Sequence, residues 1–135
     1  MTQQEFFKEW SEKYPKCFEK FYNYISDKFN IIYYKYKSKD IFFAFPLTNQ
    51  NYDYIIKFEM LSGIIEKFFE ENDFGFEFRI IKEYSPHKVY FCCSVLNLEP
   101  YKDLMLYIFS NVKTKQEAKI SAYLKAAEIL ERELD

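Results

Sequence analysis

The stretch that decides the fold closes the chain and reads Thr114-Lys-Gln-Glu-Ala-Lys-Ile-Ser-Ala-Tyr-Leu-Lys-Ala-Ala-Glu-Ile-Leu-Glu-Arg-Glu-Leu134. Thr114 and Glu117 match a capping box, in which a hydroxyl and a carboxylate satisfy free backbone N–H groups at a helix start. Apolar residues then recur at helical spacing, so the pattern predicts a helix over Lys115 to Leu134. Its inward face carries Ile120, Tyr123, Leu124, Ala127, Leu130 and Leu134, beside a strip of small residues at Ala118, Ala122 and Ala126.

Two further helices are predicted at the start of the chain. Thr2 and Glu5 repeat the capping-box pattern, and the helix that they begin stops where Pro15 intervenes. A second apolar stripe at helical spacing predicts the next helix and consists of Phe18, Phe21, Tyr22, Ile25 and Phe29.

Between these helices and the last one, alternating and short apolar runs predict strands. The predicted strands are Ile31–Lys37, Ile41–Phe45, Phe76–Ile80 after a turn at Asp73–Gly75, and Lys88–Leu98. Two stretches are ambiguous. Residues 54–70 begin with a strand-like alternation, but their apolar pattern continues too long for one strand, which favours a helix. Residues 104–109 fit either element, and strand is favoured.

The sequence therefore predicts a single α+β domain over residues 1–135, with a small, mainly antiparallel sheet covered by helices. The predicted elements repeat as helix, strand, strand over residues 15–45 and again over 53–98, followed by the closing helix. This order suggests an αββ-αββ-α pseudo-repeat.

Composition argues against most catalytic sites. The chain has two glycines, Gly63 and Gly75, and one histidine, His87. Phosphate loops and nucleophile elbows need glycines that let the backbone turn tightly or approach a ligand. In contrast, 16 Phe, 13 Tyr and one Trp are more rings than so small a domain can bury, so some tyrosines are expected at the surface.

Charge and targeting signals favour a cytoplasmic protein. The formal net charge of −2 gives no general attraction to nucleic acid or to anionic lipid. No apolar stretch reaches the ~18 residues that a membrane-spanning helix needs. The N-terminus does not resemble a signal peptide, and three cysteines, two of them adjacent, do not form a disulfide framework.

One segment carries a family resemblance. Phe58-Glu-Met-Leu-Ser-Gly-Ile-Ile-Glu-Lys-Phe68 resembles the Trp-x-x-Leu-x-x-Val-Val-Glu-Lys-Ile helix of small uncharacterised phage and prophage proteins of Bacteroidetes-type bacteria. The start of the closing helix, Thr114–Ala118, is similar to their Ser-Lys-x-Glu-Ala pattern. The resemblance covers residues 53–134, with Phe58 where Trp is usual and Gly63 where Pro is common. It implies a compact helix-and-sheet domain of phage origin and no activity or functional residue.

Candidate chemical sites favour structural roles. His87, Cys92 and Cys93 suggest a metal site or a cysteine nucleophile, and Cys17 is a second possible nucleophile. Neighbouring strand residues point to opposite faces, so buried thiols that pack as small hydrophobes are expected instead. Ser62 lies within a predicted helix, without the elbow that a serine hydrolase needs. The carboxylates Glu66, Glu70, Glu71 and Asp73 are expected on a solvated helix face.

The segment Tyr33-Tyr34-Lys35-Tyr36-Lys37-Ser38-Lys39 combines rings and lysines. Rings that stack on bases and ammonium groups that contact phosphates are typical of single-stranded nucleic-acid binding. Lysines also protect an edge strand from pairing with other chains, and the low net charge favours this second interpretation.

The sequence thus predicts a non-catalytic phage-type protein without cofactor or metal, which binds a protein partner or forms a homo-oligomer. Single-stranded nucleic-acid binding is the alternative. The candidate interaction surface comprises Trp10, Tyr33, Tyr34, Lys35, Tyr36, Lys37 and Lys39.

Overall fold

The structure, a computed structural model, describes residues 1–36, 40–45, 54–84, 87–99, 105–112 and 114–135. These residues form, in chain order, α1 (Gln3–Lys13), α2 (Pro15–Phe29), β1 (Ile32–Tyr36), β2 (Asp40–Phe45), β3 (Tyr54–Ile55), α3 (Phe58–Glu71), β4 (Phe74–Tyr84), β5 (His87–Asn97), β6 (Met105–Val112) and α4 (Lys115–Glu133).

The helix boundaries follow from local signals in the sequence. The backbone N–H of Glu5 donates to Thr2 Oγ1 at 3.2 Å, and that of Glu117 donates to Thr114 Oγ1 at 3.1 Å. The threonine hydroxyls therefore cap both helices as predicted. α2 begins at Pro15, whose fixed φ suits the first helical position. It ends at Asn30, which adopts the left-handed conformation with φ of 52°.

The strands form two three-stranded antiparallel sheets, in the orders β1-β2-β3 and β4-β5-β6. In the first sheet Tyr34 lies opposite Phe42, and in the second Phe76 lies opposite Val95. The predicted α+β class and antiparallel pairing are confirmed. Each sheet follows a helix and has three strands, so the repeated unit is αβββ and the strands are divided between two sheets.

Several predicted boundaries were wrong, among them those of the strand predicted at Phe76–Ile80, which extends over Phe74–Tyr84. Residues 54–55 form β3, and α3 starts only at Phe58, because Ala44 and Phe45 of β2 pair with these residues. Strand pairing here overrides the helical apolar pattern. The turn before β4 lies at Asn72–Asp73, and Asp73 has the positive φ of 68°. Aspartate tolerates this left-handed conformation, so the turn does not need a glycine. Gly75 is already part of β4. The strand favoured for residues 104–109 is confirmed as β6.

Helices pack against both sheets. α1 packs against β2 and α2 against β1, whereas α3 packs against β4. The long α4 packs against β5 and β6 and also contacts α1 and α2. Its predicted inward residues Ile120, Tyr123, Ala127 and Leu130 are buried, as are the alanines at 118, 122 and 126.

An aromatic cluster around Trp10 forms the centre of the core. The Trp10 ring stacks on Phe21 with ring centroids 4.7 Å apart and on Phe69 at 5.8 Å, and Phe18 meets it edge-on at 5.5 Å. Each buried ring contributes roughly 1.5–3 kcal/mol. Other rings remain outside this core: Tyr84 is 76% exposed and Tyr107 is 42% exposed, which confirms the expected surface tyrosines.

Across the described ranges, no helix is long and apolar enough to cross a membrane.

Candidate functional site

The first predicted contact residue is not at the surface. Trp10 is completely buried, so its assignment to an interaction surface was wrong. Its helical spacing from Phe6 and Phe7 places all three rings on the face of α1 that packs into the core. A ring in the centre of a core stabilises the fold but cannot contact a partner.

The other predicted contact residues lie on or after β1, an edge strand of the first sheet. The backbone of Tyr33 and Tyr34 pairs with Phe43 and Phe42 of β2. The side chains of residues 33–36 lie outside the described part of the structure, as do the whole of Lys37 and Lys39. The surface predicted at Tyr33, Tyr34, Lys35, Tyr36, Lys37 and Lys39 stays a prediction.

His87 and the cysteine pair are separated along one strand. His87 begins β5 and lies opposite Tyr84, whereas Cys92 and Cys93 occupy the middle of β5. At ~3.3 Å per residue, the backbones of His87 and Cys92 are ~17 Å apart. Both cysteines are buried. Among the described residues, no group of three or more His, Cys, Asp or Glu could hold a metal ion.

Buried thiols in this chain are poor nucleophiles. Burial raises the pKa of the Cys93 thiol to about 12, and burial likewise raises the pKa of Cys17 to about 12. The thiolate is the reactive form, so neither group supplies it near neutral pH. Cys17 packs near the Trp10 ring at the start of α2, away from any described cleft.

Among the described residues, several exposed apolar side chains lie on the distal half of the β4–β5 hairpin, which we call the hairpin arm (residues 79–84 and 87–90). Ile80 is 62% exposed, Ile81 is 39% exposed and Val89 is 55% exposed. Ile80 and Val89 lie on one face, because residues opposite each other share a face and Lys82 lies opposite Val89. Ile81 lies on the other face. The arm therefore carries apolar side chains on both faces.

One face of the arm continues the face that packs against the helices. Phe76 and Phe78 have the same alternation as Ile80, and the Phe76 ring meets Tyr123 of α4 edge-on at 5.2 Å. Beyond Phe78 the helices no longer cover the sheet, since all residues from Arg79 to Tyr84 are exposed. Over its six residues this part of β4 extends ~20 Å. Within the described ranges β4 pairs with β5 alone, and its other edge faces outward.

A second candidate site is a polar network that joins α3 to α4. The Ser62 Oγ and the Tyr123 hydroxyl are 2.7 Å apart, and the Tyr123 hydroxyl donates to Glu66 Oε2 at 2.9 Å. Ser62 also donates to Glu66 Oε2 at 3.2 Å. The Lys119 ammonium donates to Ser62 Oγ at 3.0 Å and lies 3.9 Å from Glu66 Oε2. The four polar groups thus satisfy one another at the edge of the core.

Burial fixes the protonation of one member of the network, Tyr123. It raises the pKa of Tyr123 well above its usual value, so that the hydroxyl keeps its proton and donates to the Glu66 carboxylate. The tyrosine ring is completely buried, whereas the Lys119 side chain is 21% exposed. The network therefore has a buried side at Tyr123 and a solvent-facing side at Lys119.

A cleft opens on the solvent-facing side of this network. It lies between the first turns of α3 and α4 and has a volume of about 370 Å³. The residues that line it are Phe58, Glu59, Ser62, Lys115, Gln116 and Lys119. Ser62 connects the cleft to the network, since it belongs to both.

The network refines the interpretation of two sequence features. Ser62 lies within α3, as predicted, with no nucleophile elbow. Glu66 was expected on a solvated face, but its carboxylate is only 27% exposed and is bound by three groups. The expectation is correct for Glu70, Glu71 and Asp73, which are exposed. The spacing signal was present, since Ser62 and Glu66, like Lys119 and Tyr123, are four residues apart.

Comparison with protein-family models, with curated proteins and with solved structures gives no match for this chain. Its function must therefore be argued from the geometry of the hairpin arm and the cleft.

Proposed function

We propose that this chain is a non-catalytic protein that acts by self-association, in which the outward edge of β4 pairs with β4 of a second copy. The observation that carries the proposal is the hairpin arm, which presents Ile80 and Ile81 on opposite faces of a strand with an outward edge. Edge strands of this length and apolar character readily pair with another chain. The same proposal describes the chain as a small cytoplasmic protein of phage type.

Symmetry restricts how two β4 strands can pair. Two identical strands pair around a two-fold axis, and regular antiparallel pairing keeps side chains of one face opposite each other. An axis at Ile80 places Glu77 opposite Glu83 of the second copy. An axis at Arg79 or Lys82 places two like charges directly opposite each other. Like charges in this position destabilise a sheet.

An axis at Ile81 avoids these repulsions. Arg79 then lies opposite Glu83 of the second copy, and the symmetry repeats this ion pair on the other side of the axis. Phe78 lies opposite Tyr84, and Ile80 lies beside the aliphatic stem of Lys82. Arg79 also forms an ion pair with Glu77, which lies on the same face of its own strand.

The helices favour the same arrangement. α3 and α4 cover β4 at Phe74–Phe78 and leave the arm uncovered. With the axis at Ile81, the uncovered arms of the two copies lie side by side, since residues 79–84 face residues 78–83 of the second copy. Tyr84 of each arm then lies opposite Phe78 of the second copy, and the pairing buries surface that each single copy leaves in water.

Charge reversal tests this pairing by sedimentation equilibrium. We expect the wild-type chain to be dimeric at concentrations on the order of 100 µM. Arg79→Glu and Glu83→Arg should each be monomeric, because each places like charges opposite each other twice. The double variant should be dimeric again. An equimolar mixture of the two single variants should form a heterodimer, since the opposite charges then face each other.

The control is Lys8→Glu, which reverses one positive charge on an exposed position of α1, outside the hairpin arm. It should leave the dimer unchanged. A monomeric wild-type chain, or an Arg79→Glu variant that dimerises as well as the wild type, would contradict the proposal. A monomer that instead captures another protein through the arm would show that the edge serves a different partner.

Single-stranded nucleic-acid binding by Tyr33–Lys39 is the second proposal. The edge position of β1 supports it, because a strand at the edge of a sheet is accessible from one side. The expected result is salt-dependent retention of a labelled oligonucleotide that Lys35→Glu combined with Lys37→Glu weakens. Retention that these changes do not alter would rule out this segment.

A further inference from the structure

The cleft between α3 and α4 has the size and lining of a small-molecule site. Its volume of about 370 Å³ falls within the range of ligand pockets. The Phe58 ring, which is 7% exposed, supplies an apolar wall. Polar groups come from Ser62 on α3 and from Lys115, Gln116 and Lys119 on α4.

Lys119 is held in position before any ligand arrives. Its ammonium group donates to Ser62 Oγ at 3.0 Å, lies 3.9 Å from the Glu66 carboxylate and lies over the Phe78 ring, 5.5 Å from its centroid. A lysine ammonium has three N–H donors, and the bond to Ser62 uses one of them. Ordering a lysine side chain on binding normally costs conformational entropy. Because Lys119 is already ordered in the fold, a ligand would not have to offset that cost.

Charge in the cleft is greatest on the side of α4. Lys115 precedes Lys119 by one helical turn, so both ammonium groups lie on the same side of the helix. The positive end of the α4 dipole adds to their field. Glu59 lines the α3 side, and Glu66 lies behind Lys119. These carboxylates limit how much negative charge the cleft can accept.

We infer that the cleft binds a small, singly charged organic carboxylate with an aromatic or other apolar part. The carboxylate would contact Lys119 and Lys115, and the apolar part would pack against Phe58. A phosphate dianion is disfavoured, because its second negative charge would face the nearby carboxylates of Glu59 and Glu66. The inference does not depend on self-association.

The test is an NMR titration of the full isotope-labelled chain with benzoate as the probe. We expect saturable shifts at the amides of Ser62, Gln116 and Lys119, with a Kd on the order of 1 mM for so small a ligand. Lys119→Gln should weaken binding about tenfold, because it removes the positioned cation. Lys115→Gln should weaken it by a smaller factor.

The control is Lys125→Gln on the same helix. Lys125 interacts with Glu128 and with the Tyr107 ring, outside the cleft, so benzoate binding should not change. Lys115 is exposed and lies outside the polar network. Lys115→Gln therefore still tests the cleft if Lys119→Gln disturbs the fold. Shifts that do not saturate, equal affinity in both cleft variants and the wild type, or inorganic phosphate that binds as tightly as benzoate would each overturn the inference.

Discussion

The Ser62 Oγ and the Tyr123 hydroxyl lie 2.7 Å apart and join α3 to α4 through two buried residues that are 61 positions apart in the chain. Both hydroxyls also reach Glu66 Oε2, so the carboxylate has partners on both helices. A buried polar group that loses its partner costs more free energy than the hydrogen bond contributed. This network should therefore hold the two helices in a fixed relative position.

Tyr123→Phe should lower the free energy of unfolding by about 1–3 kcal/mol, since it keeps the ring but removes the hydroxyl that contacts both Ser62 and the Glu66 carboxylate. Urea denaturation followed by circular dichroism measures the change. The control is Tyr24→Phe on α2, a partly exposed ring for which we expect a change within about 0.5 kcal/mol. A Tyr123→Phe loss no larger than this control would show that the network does not contribute to stability.

A carboxylate from the far end of the chain caps α2. The Cys17 N–H donates to Glu131 Oε2 at 2.7 Å, and the Lys16 N–H donates to Glu131 Oε1 at 3.1 Å. The helix needs this cap because Tyr14, at its N-cap position, makes no side-chain capping hydrogen bond. The negative charge of Glu131 also interacts favourably with the positive end of the α2 dipole.

Glu131→Ala should therefore cost about 1–2 kcal/mol of stability, as the loss of an N-cap does. Glu131→Gln should cost less, because an amide oxygen still accepts one hydrogen bond but no longer carries a charge. Thermal unfolding of both variants beside Glu133→Ala, an exposed glutamate of the same helix, measures the effect. Equal losses for the alanine variants at 131 and 133 would contradict the capping role.

Local patterns in the sequence predicted most of the elements, because each depends on nearby residues. Thr2 and Thr114 mark helix starts through their own hydroxyls, and Pro15 separates α1 from α2. β3 was missed because residues 54–55 become a strand only through their pairing with β2. The extension of β4 to Tyr84 likewise depends on its pairing with His87 of β5.

The candidate sites were less predictable for the same reason. Helical spacing puts Ser62 with Glu66 on α3 and Lys119 with Tyr123 on α4. That the two pairs meet depends on how α3 packs against α4, which no local pattern encodes. Trp10 could have been assigned correctly, since its spacing from Phe6 already placed it on the apolar face of α1.

Stability should fall in alkaline solution because of the buried thiols. Burial raises the pKa of Cys17 and of Cys93 to about 12, whereas in the unfolded chain these thiols titrate near about 8.5. Between these values the unfolded chain has lost the protons that the folded chain keeps, so the free energy of unfolding decreases as pH rises. Below about 8.5 both states are protonated and the contribution is constant.

We expect a loss of up to about 1.4 kcal/mol per pH unit for each thiol above pH ~9, measured by urea denaturation across the alkaline range. Tyrosines also titrate there, so the comparison is with Cys17→Ala and Cys93→Ala, alone and combined. Lost packing changes the absolute stability of these variants, so the quantity compared is the slope of stability against pH, which should become shallower. An unchanged slope in the combined variant would show that the thiols do not cause the alkaline loss.

The two glycines should respond oppositely to alanine. Neither has a positive φ. Gly63 lies within α3, where an added Cβ would meet no atom within 4 Å, so Gly63→Ala should stabilise the fold by about 0.5–1 kcal/mol through higher helix propensity. At Gly75 an added Cβ would lie 3.0 Å from Leu98 Cδ2, so the Leu98 side chain must move. Leu98 is 45% exposed and can shift, which limits the expected loss for Gly75→Ala to about 1 kcal/mol.

Midpoints of urea denaturation for the two variants should therefore move in opposite directions from the wild type. A stabilised Gly75→Ala would show that Leu98 moves without cost, and a destabilised Gly63→Ala would show that the surface of α3 at this position is covered.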